Sequence, residues 1–289
     1  MPSSRSISAA ERPLLRSRLT ACSLNTSGYS RFCFVIGYLQ NKCTQFVSCL
    51  CPLFWGNPIG PFQSPHLQNS PVLYGFSEAV IAKPADWGSQ AHVTGYWFLE
   101  SERDWQPPPA LEDFLQRGPT PISIGFGSMS SGKAEETAQL VLQALAKSGQ
   151  RAILLTGWQG LQVDDLPNYV FALDSAPHDW LFSQVSAVVH HGGAGTTAAG
   201  LRAGVPPIVI PFFADQPFWG QRVADLGVGP TPIPRKKLAA DRLAHAIQQA
   251  VQDSAMRRRA VALGEKIRAE NGVARPVALI DRMGMKGWH

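Results

Sequence analysis

The sequence predicts an α/β fold from residue 120 to the C terminus, a parallel sheet with helices on both faces. Three observations predict it. Short apolar runs alternate with segments of helical periodicity. Those runs are continuous rather than alternating, as strands covered on both faces are. One strand-to-helix junction is a glycine- and threonine-rich turn, His190-His191-Gly192-Gly193-Ala194-Gly195-Thr196-Thr197.

Each element follows from its own residues. Pro121–Gly127 is an apolar run ending in glycine and reads as a strand. Ala134–Lys147 places Leu140, Val141 and Leu145 at helical spacing, with Gly149 as its stop. Arg151–Thr156 and Tyr169–Leu173 read as strands, and Asp179–Gln184 as a short helix after Pro177. Val185–Val189 is a buried strand leading into the glycine turn, and Thr197–Ala203 a helix closed by Gly204. Pro207–Pro211 is a strand and Phe218–Leu226 a helix. Leu238–Gln252 and Met256–Glu270 follow as helices, the second bearing Arg257, Arg258 and Arg259.

Ligands of such sheets sit at the carboxyl ends of the strands. Gly127-Ser128, Gly157-Trp158, Ser175-Ala176, His191-Gly192 and Phe212-Phe213 all fall at strand ends on that rim. Three regions are expected: an irregular, poorly ordered extension over 1–56, a linker-containing segment over 57–119, and the α/β domain over 120–289. In the middle segment Pro107-Pro108-Pro109 and Gly118-Pro119 read as linker or turn. Its aromatics, Trp87, Tyr96, Trp97, Phe98 and Trp105, are expected to pack rather than to stack on a ligand.

Charge divides the chain at the same place. Six of the 26 Lys and Arg residues but only one of the 21 Asp and Glu residues precede Asn57, so the net charge of +5 belongs to the extension and the remainder is neutral. A basic overall balance is therefore no argument for a nucleic-acid partner. All five cysteines (Cys22, Cys33, Cys43, Cys49, Cys51) also lie in the extension, none in a paired zinc-binding spacing. Their absence elsewhere fits a reducing cytosol. The extension is acid-poor and rich in serine and arginine up to Arg31, in the manner of a transit peptide. Its apolar runs, Phe32–Leu39 and Phe46–Trp55, are shorter than the roughly 20 residues a membrane span needs. A cytoplasmic protein with peripheral membrane contact is the expectation.

The glycine turn has the make-up of a phosphate site. A helix N-terminus offers backbone N–H groups without internal partners and the positive end of a dipole, and glycine lets a ligand approach the main chain. Thr196 and Thr197 add hydroxyls, and His191 can donate to a phosphate oxygen. The spacing is not that of a dinucleotide fingerprint, and no acidic residue follows at the required distance. Neighbours on a strand point to opposite faces, so one of His190 and His191 packs inward and the other reaches the ligand. The same alternation excludes a metal held by the two together.

His191-Gly192-Gly193-Ala194-Gly195-Thr196-Thr197, Gly204-Val205-Pro206 and Pro211-Phe212-Phe213-Ala214-Asp215-Gln216-Pro217-Phe218-Trp219 resemble the donor-binding signature of the UDP-glycosyltransferase superfamily. Three further segments agree with its bacterial and fungal sterol glucosyltransferases: Pro71–Ser77, Asp86-Trp87 with Gly95–Leu99, and Gly125–Met129. The resemblance runs from Asn57 to Gly272. It implies the C-terminal half of a two-domain GT-B glycosyltransferase, with the remnant of the acceptor domain and the interdomain linker over 57–119 and a Rossmann-like nucleotide-sugar donor-binding domain over 120–289. The implied reaction transfers a hexose, glucose by expectation, from a UDP-sugar to a sterol or other lipophilic hydroxyl, with inversion and without a metal or other cofactor.

The resemblance also implies roles. Ser128, His191, Gly193, Thr196 and Thr197 would hold the diphosphate, and Asp215 and Gln216 the sugar hydroxyls. Ser175, Ala176 and His178, with Trp158, would lie at the uracil and ribose. Plant members carry a tryptophan at the position of Ser175 and a glutamate at that of Ala199, and this sequence has neither. The family's opening N-terminal strand and catalytic base have no counterpart here, so the base is expected in an N-terminal half, encoded upstream or supplied by a separate protein. The alternative is a non-catalytic UDP-sugar-binding fragment or the donor subunit of a split transferase.

Overall fold

The computed structural model describes residues 71–99, 105–126, 134–156 and 166–282. The 1–56 extension lies outside the described residues. The chain forms two compact units: Met1–Glu100 with Glu270–His289, and Ser101–Ala269.

The described part of the smaller unit holds a parallel pair of strands, β1 (Val72–Tyr74) and β2 (Ala91–Val93), in the register Val72 to Ala91. Aromatic packing holds it, as expected: Trp87 stacks on Tyr74 at 4.2 Å between centroids, and the Trp97 indole donates to the Thr94 hydroxyl at 2.8 Å. The chain returns to this unit at Glu270. Buried Ser77 donates to a Glu270 carboxylate oxygen at 2.6 Å, ahead of a terminal helix over Ala274–Arg282 that the sequence pattern did not announce.

The larger unit opens on α1 (Pro109–Gln116), where a linker was expected. Pro109 sits in the first turn, where its missing N–H is no loss, and Leu111 is fully buried. Trp105 packs against Trp180 at 4.7 Å. Then follow β3 (Ile122–Gly125), α2 (Ala134–Ser148), β4 (Ala152–Leu155), β5 (Val170–Leu173), α3 (His178–Leu181), β6 (Val188–His190), α4 (Ala194–Ala203), β7 (Pro207–Val209), α5 (Gln216–Asp225), α6 (Ala240–Gln252) and α7 (Ser254–Ala269). The terminal helix Ala274–Arg282 is α8. Every expected strand and helix from residue 121 onward is present. α4 starts three residues before Thr197, because Gly193 rather than a threonine ends the turn. β6 begins later than Val185, after a 3-10 turn over Phe182–Gln184.

The five strands β3 to β7 make one parallel sheet in the order β5-β4-β3-β6-β7. Helices cover both faces. On one, Val141 and Leu145 of α2 and Leu243 and Ile247 of α6 pack with Ile122, Ile124, Leu154 and Val189. On the other, Leu111, Leu181, Phe182 and part of α4 pack with Ile153 and Val188. Alternate strand residues thus serve opposite cores, which explains the continuous apolar runs. Among the described residues, no helix is long and apolar enough to cross a membrane.

α4 ends at Gly204, whose φ of 76° is open to glycine, and a Cβ there would lie 3.2 Å from the Val261 Cα. Gly204→Ala is expected to cost about 1–2 kcal/mol through the left-handed backbone. Gly200, inside the same helix, has only an ordinary contact at 3.8 Å for a Cβ. Gly200→Ala should therefore stabilise by about 0.5–1 kcal/mol. Urea midpoints moving in opposite directions at an unchanged slope are the expected result.

Candidate functional site

Parallel strands share one carboxyl edge. It carries Phe126 after β3, Thr156 after β4, Asp174–Ala176 after β5, His191–Gly193 after β6 and Phe212–Gln216 after β7. The chain leaves β3 toward β4 and β5, then returns to place β6 on the other side of β3. The strand order therefore reverses between β3 and β6, and the helices that follow them, α2 and α4, pack on opposite faces of the sheet; such a reversal is where these sheets have the crevice that binds ligands. Two residues expected on this edge, Ser128 and Trp158, lie outside the described residues.

At the end of β6 the two histidines divide as the alternation requires. His190 is 1 % exposed, and its Nδ1 accepts the Gly192 N–H at 3.0 Å. That bond leaves the proton on Nε2, which is buried without a partner among the described residues. Burial pushes the His190 pKa down to about 3, with His191 and His178 adding to the effect. His190 is thus a neutral anchor for the turn. The ring of His191 stands nearly perpendicular to it, at 83° and 6.4 Å. His191 is half-buried, and its Nδ1 has no partner among the described residues. Burial lowers its pKa, and Asp215 opposes the shift.

The glycines of the turn are space requirements. A Cβ on Gly193 would come within 2.7 Å of His191 Nε2, so the ring lies over the backbone of residue 193. Gly192 has a φ of 92°, and a Cβ there would meet Val209 at 2.6 Å and the Gln216 carbonyl at 3.1 Å. The turns after β6 and β7 are therefore packed against each other through a residue that has no side chain.

No side chain caps α4, and its first turn holds no acidic residue. Its leading N–H groups lack intrahelical partners, and the dipole there is positive. Gly195 is exposed, with no atom within 4 Å of a Cβ position, so the approach is open. Thr196 is half-buried beside it. Thr197, expected to give its hydroxyl to a diphosphate, is fully buried and donates instead to the Gly193 carbonyl at 2.9 Å. A hydroxyl has one hydrogen, and this one is used inside the helix.

The loop after β7 is held by Gln216, 5 % exposed, whose Oε1 accepts the N–H groups of Phe212 at 2.8 Å and Phe213 at 3.2 Å. The side-chain carbonyl is thus committed to the main chain, and the amide N–H groups remain for other partners. Ala214 adopts a φ of 56°, a conformation costing a non-glycine residue about 1–2 kcal/mol. Asp215 occupies the N-cap position of α5 without capping it through its side chain. Its Oδ2 instead accepts the Trp219 indole N–H at 2.9 Å. Neither the organising role of Gln216 nor the strained Ala214 has a sequence signal, since alanine is not the residue type that marks a positive φ.

At the end of β5, Ser175 is exposed, Ala176 packs on the second core, and the His178 ring lies parallel to Phe182 at 4.7 Å. Burial lowers the His178 pKa, Asp179 opposes the shift and His191 adds to it. Among the described residues, no group of three His, Cys, Asp or Glu side chains gathers where it could hold a metal ion.

Comparison with known proteins agrees with this architecture. The C-terminal domain model of the erythromycin biosynthesis protein CIII-like family matches residues 139–279. A sterol 3-beta-glucosyltransferase of Arabidopsis thaliana, UGT80A2, is 43% identical over 207 residues, which cover 71% of this chain and 32% of that protein. A sterol 3-beta-glucosyltransferase of Emericella nidulans is 45% identical over 224 residues, covering 73% of this chain and 16% of that protein. The crystal structure of Arabidopsis thaliana UGT89C1 complexed with UDP has the same fold, with a TM-score of 0.61 at 17% identity over 80% of this chain and 64% of that one. The fold is that of GT-B glycosyltransferases. In sequence the chain is similar to the sterol 3-beta-glucosyltransferases, and it spans about a third or less of the length of these two curated relatives.

The buried His190 sets a pH dependence. Its folded pKa of about 3 lies below the ordinary 6.5. The stability it confers is complete above pH 6.5 and is lost progressively as pH falls toward 3, because the unfolded chain binds the proton first. Unfolding free energy should drop by about 1–2 kcal/mol between pH 6.5 and pH 5 on this account. His190→Gln should flatten that part of the profile in urea titrations at each pH, whatever its effect on stability at neutral pH.

Proposed function

We propose that the larger unit is the nucleotide-sugar half of an inverting, metal-independent sterol glucosyltransferase, with UDP-glucose at the crevice between β3 and β6. The observation that carries this reading is the uncapped N-terminus of α4, set at the reversal of strand order with His191 lying over Gly193. That arrangement suits two phosphate groups. The helix supplies main-chain donors and positive potential, and His191 supplies a side-chain donor from its edge. Thr196 offers a hydroxyl, and Thr197 supports the site indirectly by fixing the Gly193 carbonyl. The sterol glucosyltransferase relatives and the UDP complex of UGT89C1 support the choice of donor and acceptor class.

The hexose would extend toward the loop after β7. There the free oxygen of Asp215 and the amide N–H groups of Gln216 can accept from and donate to sugar hydroxyls. Ser175, Ala176 and His178 would border the nucleoside from the end of β5. The acceptor hydroxyl would attack the anomeric carbon from the face opposite the diphosphate, forming the new C–O bond as the bond to the phosphate oxygen breaks. The acceptor proton would pass to a base in the N-terminal half of the family's architecture. The developing charge on UDP would fall on groups already oriented before reaction, which is where such stabilisation is most effective.

Calorimetric titration of the chain with UDP and with UDP-glucose tests the reading. Both should bind, and His191→Ala should weaken both by about tenfold, the value of a hydrogen bond to a charged group. Asp215→Asn keeps an acceptor for the Trp219 indole while removing the charge. It should weaken UDP-glucose several-fold more than UDP. A folded chain that binds neither ligand would remove the donor assignment.

A further inference from the structure

We infer that Arg235 is a positioning residue for the sugar end of this site, tying the loop after β7 to the start of α2 across the crevice. The inference rests on the donor-site reading above and adds a residue that the signature segments do not contain. Residues 230–235 run beside β7 in the same direction, with the Ile233 N–H donating to the Val209 carbonyl and the Arg235 N–H to the Pro211 carbonyl, both at 3.0 Å. This pairing delivers Arg235, at the head of a 3-10 turn with Lys236 and Lys237, to the carboxyl edge of the sheet.

From there its guanidinium makes two contacts in different directions. Nη2 donates to the Thr137 hydroxyl at 2.6 Å, and Cζ lies 5.7 Å from the centroid of the Phe212 ring. Thr137 is 5 % exposed and lies in the first turn of α2, the helix that follows β3. Phe212 in turn meets Phe126, the residue that follows β3, at 6.0 Å. Its N–H is one of the two held by Gln216. One half-buried cation therefore connects the exits of β3 and β7, the strands that flank β6 and its glycine turn.

The connection bears on the hexose rather than the diphosphate. The diphosphate groups belong to the end of β6, where Gly192, Gly193 and α4 are fixed by their own contacts. Asp215 and Gln216 depend on the path of the loop from Phe212, which contains the strained Ala214. A planar guanidinium can donate to a hydroxyl and lie over a ring at the same time, which an ammonium does less well. Lys236 and Lys237 carry the same charge without these contacts and serve as controls for a purely electrostatic effect.

The test compares UDP and UDP-glucose affinities by calorimetry in the full chain for Arg235→Gln, Thr137→Val and Lys236→Ala. Arg235→Gln should weaken UDP-glucose about tenfold while leaving UDP within twofold, and Thr137→Val should act in the same direction with a smaller effect. Lys236→Ala should leave both unchanged. Amide hydrogen exchange gives a readout without ligand: Arg235→Gln should speed exchange at Phe212 and Phe213 and leave Gly192 and Thr197 unaffected. Equal losses for the two ligands, no loss, or a matching loss in Lys236→Ala would overturn the assignment. If Arg235→Gln fails to fold, Thr137→Val decides alone by the same ratio. A wild-type chain that binds no UDP defeats the donor reading itself, whereas UDP binding with an unchanged ratio defeats only the role of Arg235.

Discussion

β3 and β6 are hydrogen-bonded neighbours, Gly125 opposite His190, yet the chains that leave them travel to opposite sides of the sheet. That divergence is geometric. A parallel strand must be followed by a crossover, and crossovers are right-handed, so reversing the strand order sends successive helices to opposite faces. The described candidate groups of the larger unit, at the ends of β5, β6 and β7, are placed by reference to the gap left between them.

The gap is kept in shape by contacts that are mostly not made by the groups facing it. His190 holds Gly192 from inside, Thr197 holds the Gly193 carbonyl, and Gln216 holds two amides of the next loop. Gly192 then brings the two turns together, because any side chain there would strike Val209 and the Gln216 backbone. The side chains that the resemblance assigns to the ligand also have partners within the chain. Thr197 donates to the Gly193 carbonyl, Gln216 accepts two backbone amides through its carbonyl, and Asp215 gives one oxygen to Trp219. This economy is expected where a site is built on short turns, since each buried polar atom needs a partner before a ligand arrives.

The smaller unit shows the same logic on a simpler scale. Its parallel strand pair is short, three residues to a strand, and a pair of that size needs packing from outside the ladder. The stacked Tyr74 and Trp87, together with the return of the chain at Glu270, supply what the strands lack. Ser77, fully buried, accepts the Ala79 N–H and donates to Glu270, so two distant parts of the sequence meet at one hydroxyl.

By itself the sequence determined the layered sheet, because continuous apolar strands alternating with periodic helices have one economical way to bury themselves. It also determined the phosphate-sized turn, since adjacent glycines at a strand-to-helix junction are a local signal. It left α1 and α8 unannounced. α1 hides behind three prolines that are tolerated only because Pro109 is in a first turn, and α8 buries little besides Pro276. Strand alternation required one histidine of the pair to face inward but not which one, and only the packing of β6 between β3 and β7 decided for His190. Arg235 was decided in the same way, because its role depends on Thr137, brought to it from a segment 98 residues away. Gln216 and Ala214 act within their own loop, where the side chain holds Phe212 and Phe213, but no pattern of residue types records that loop path.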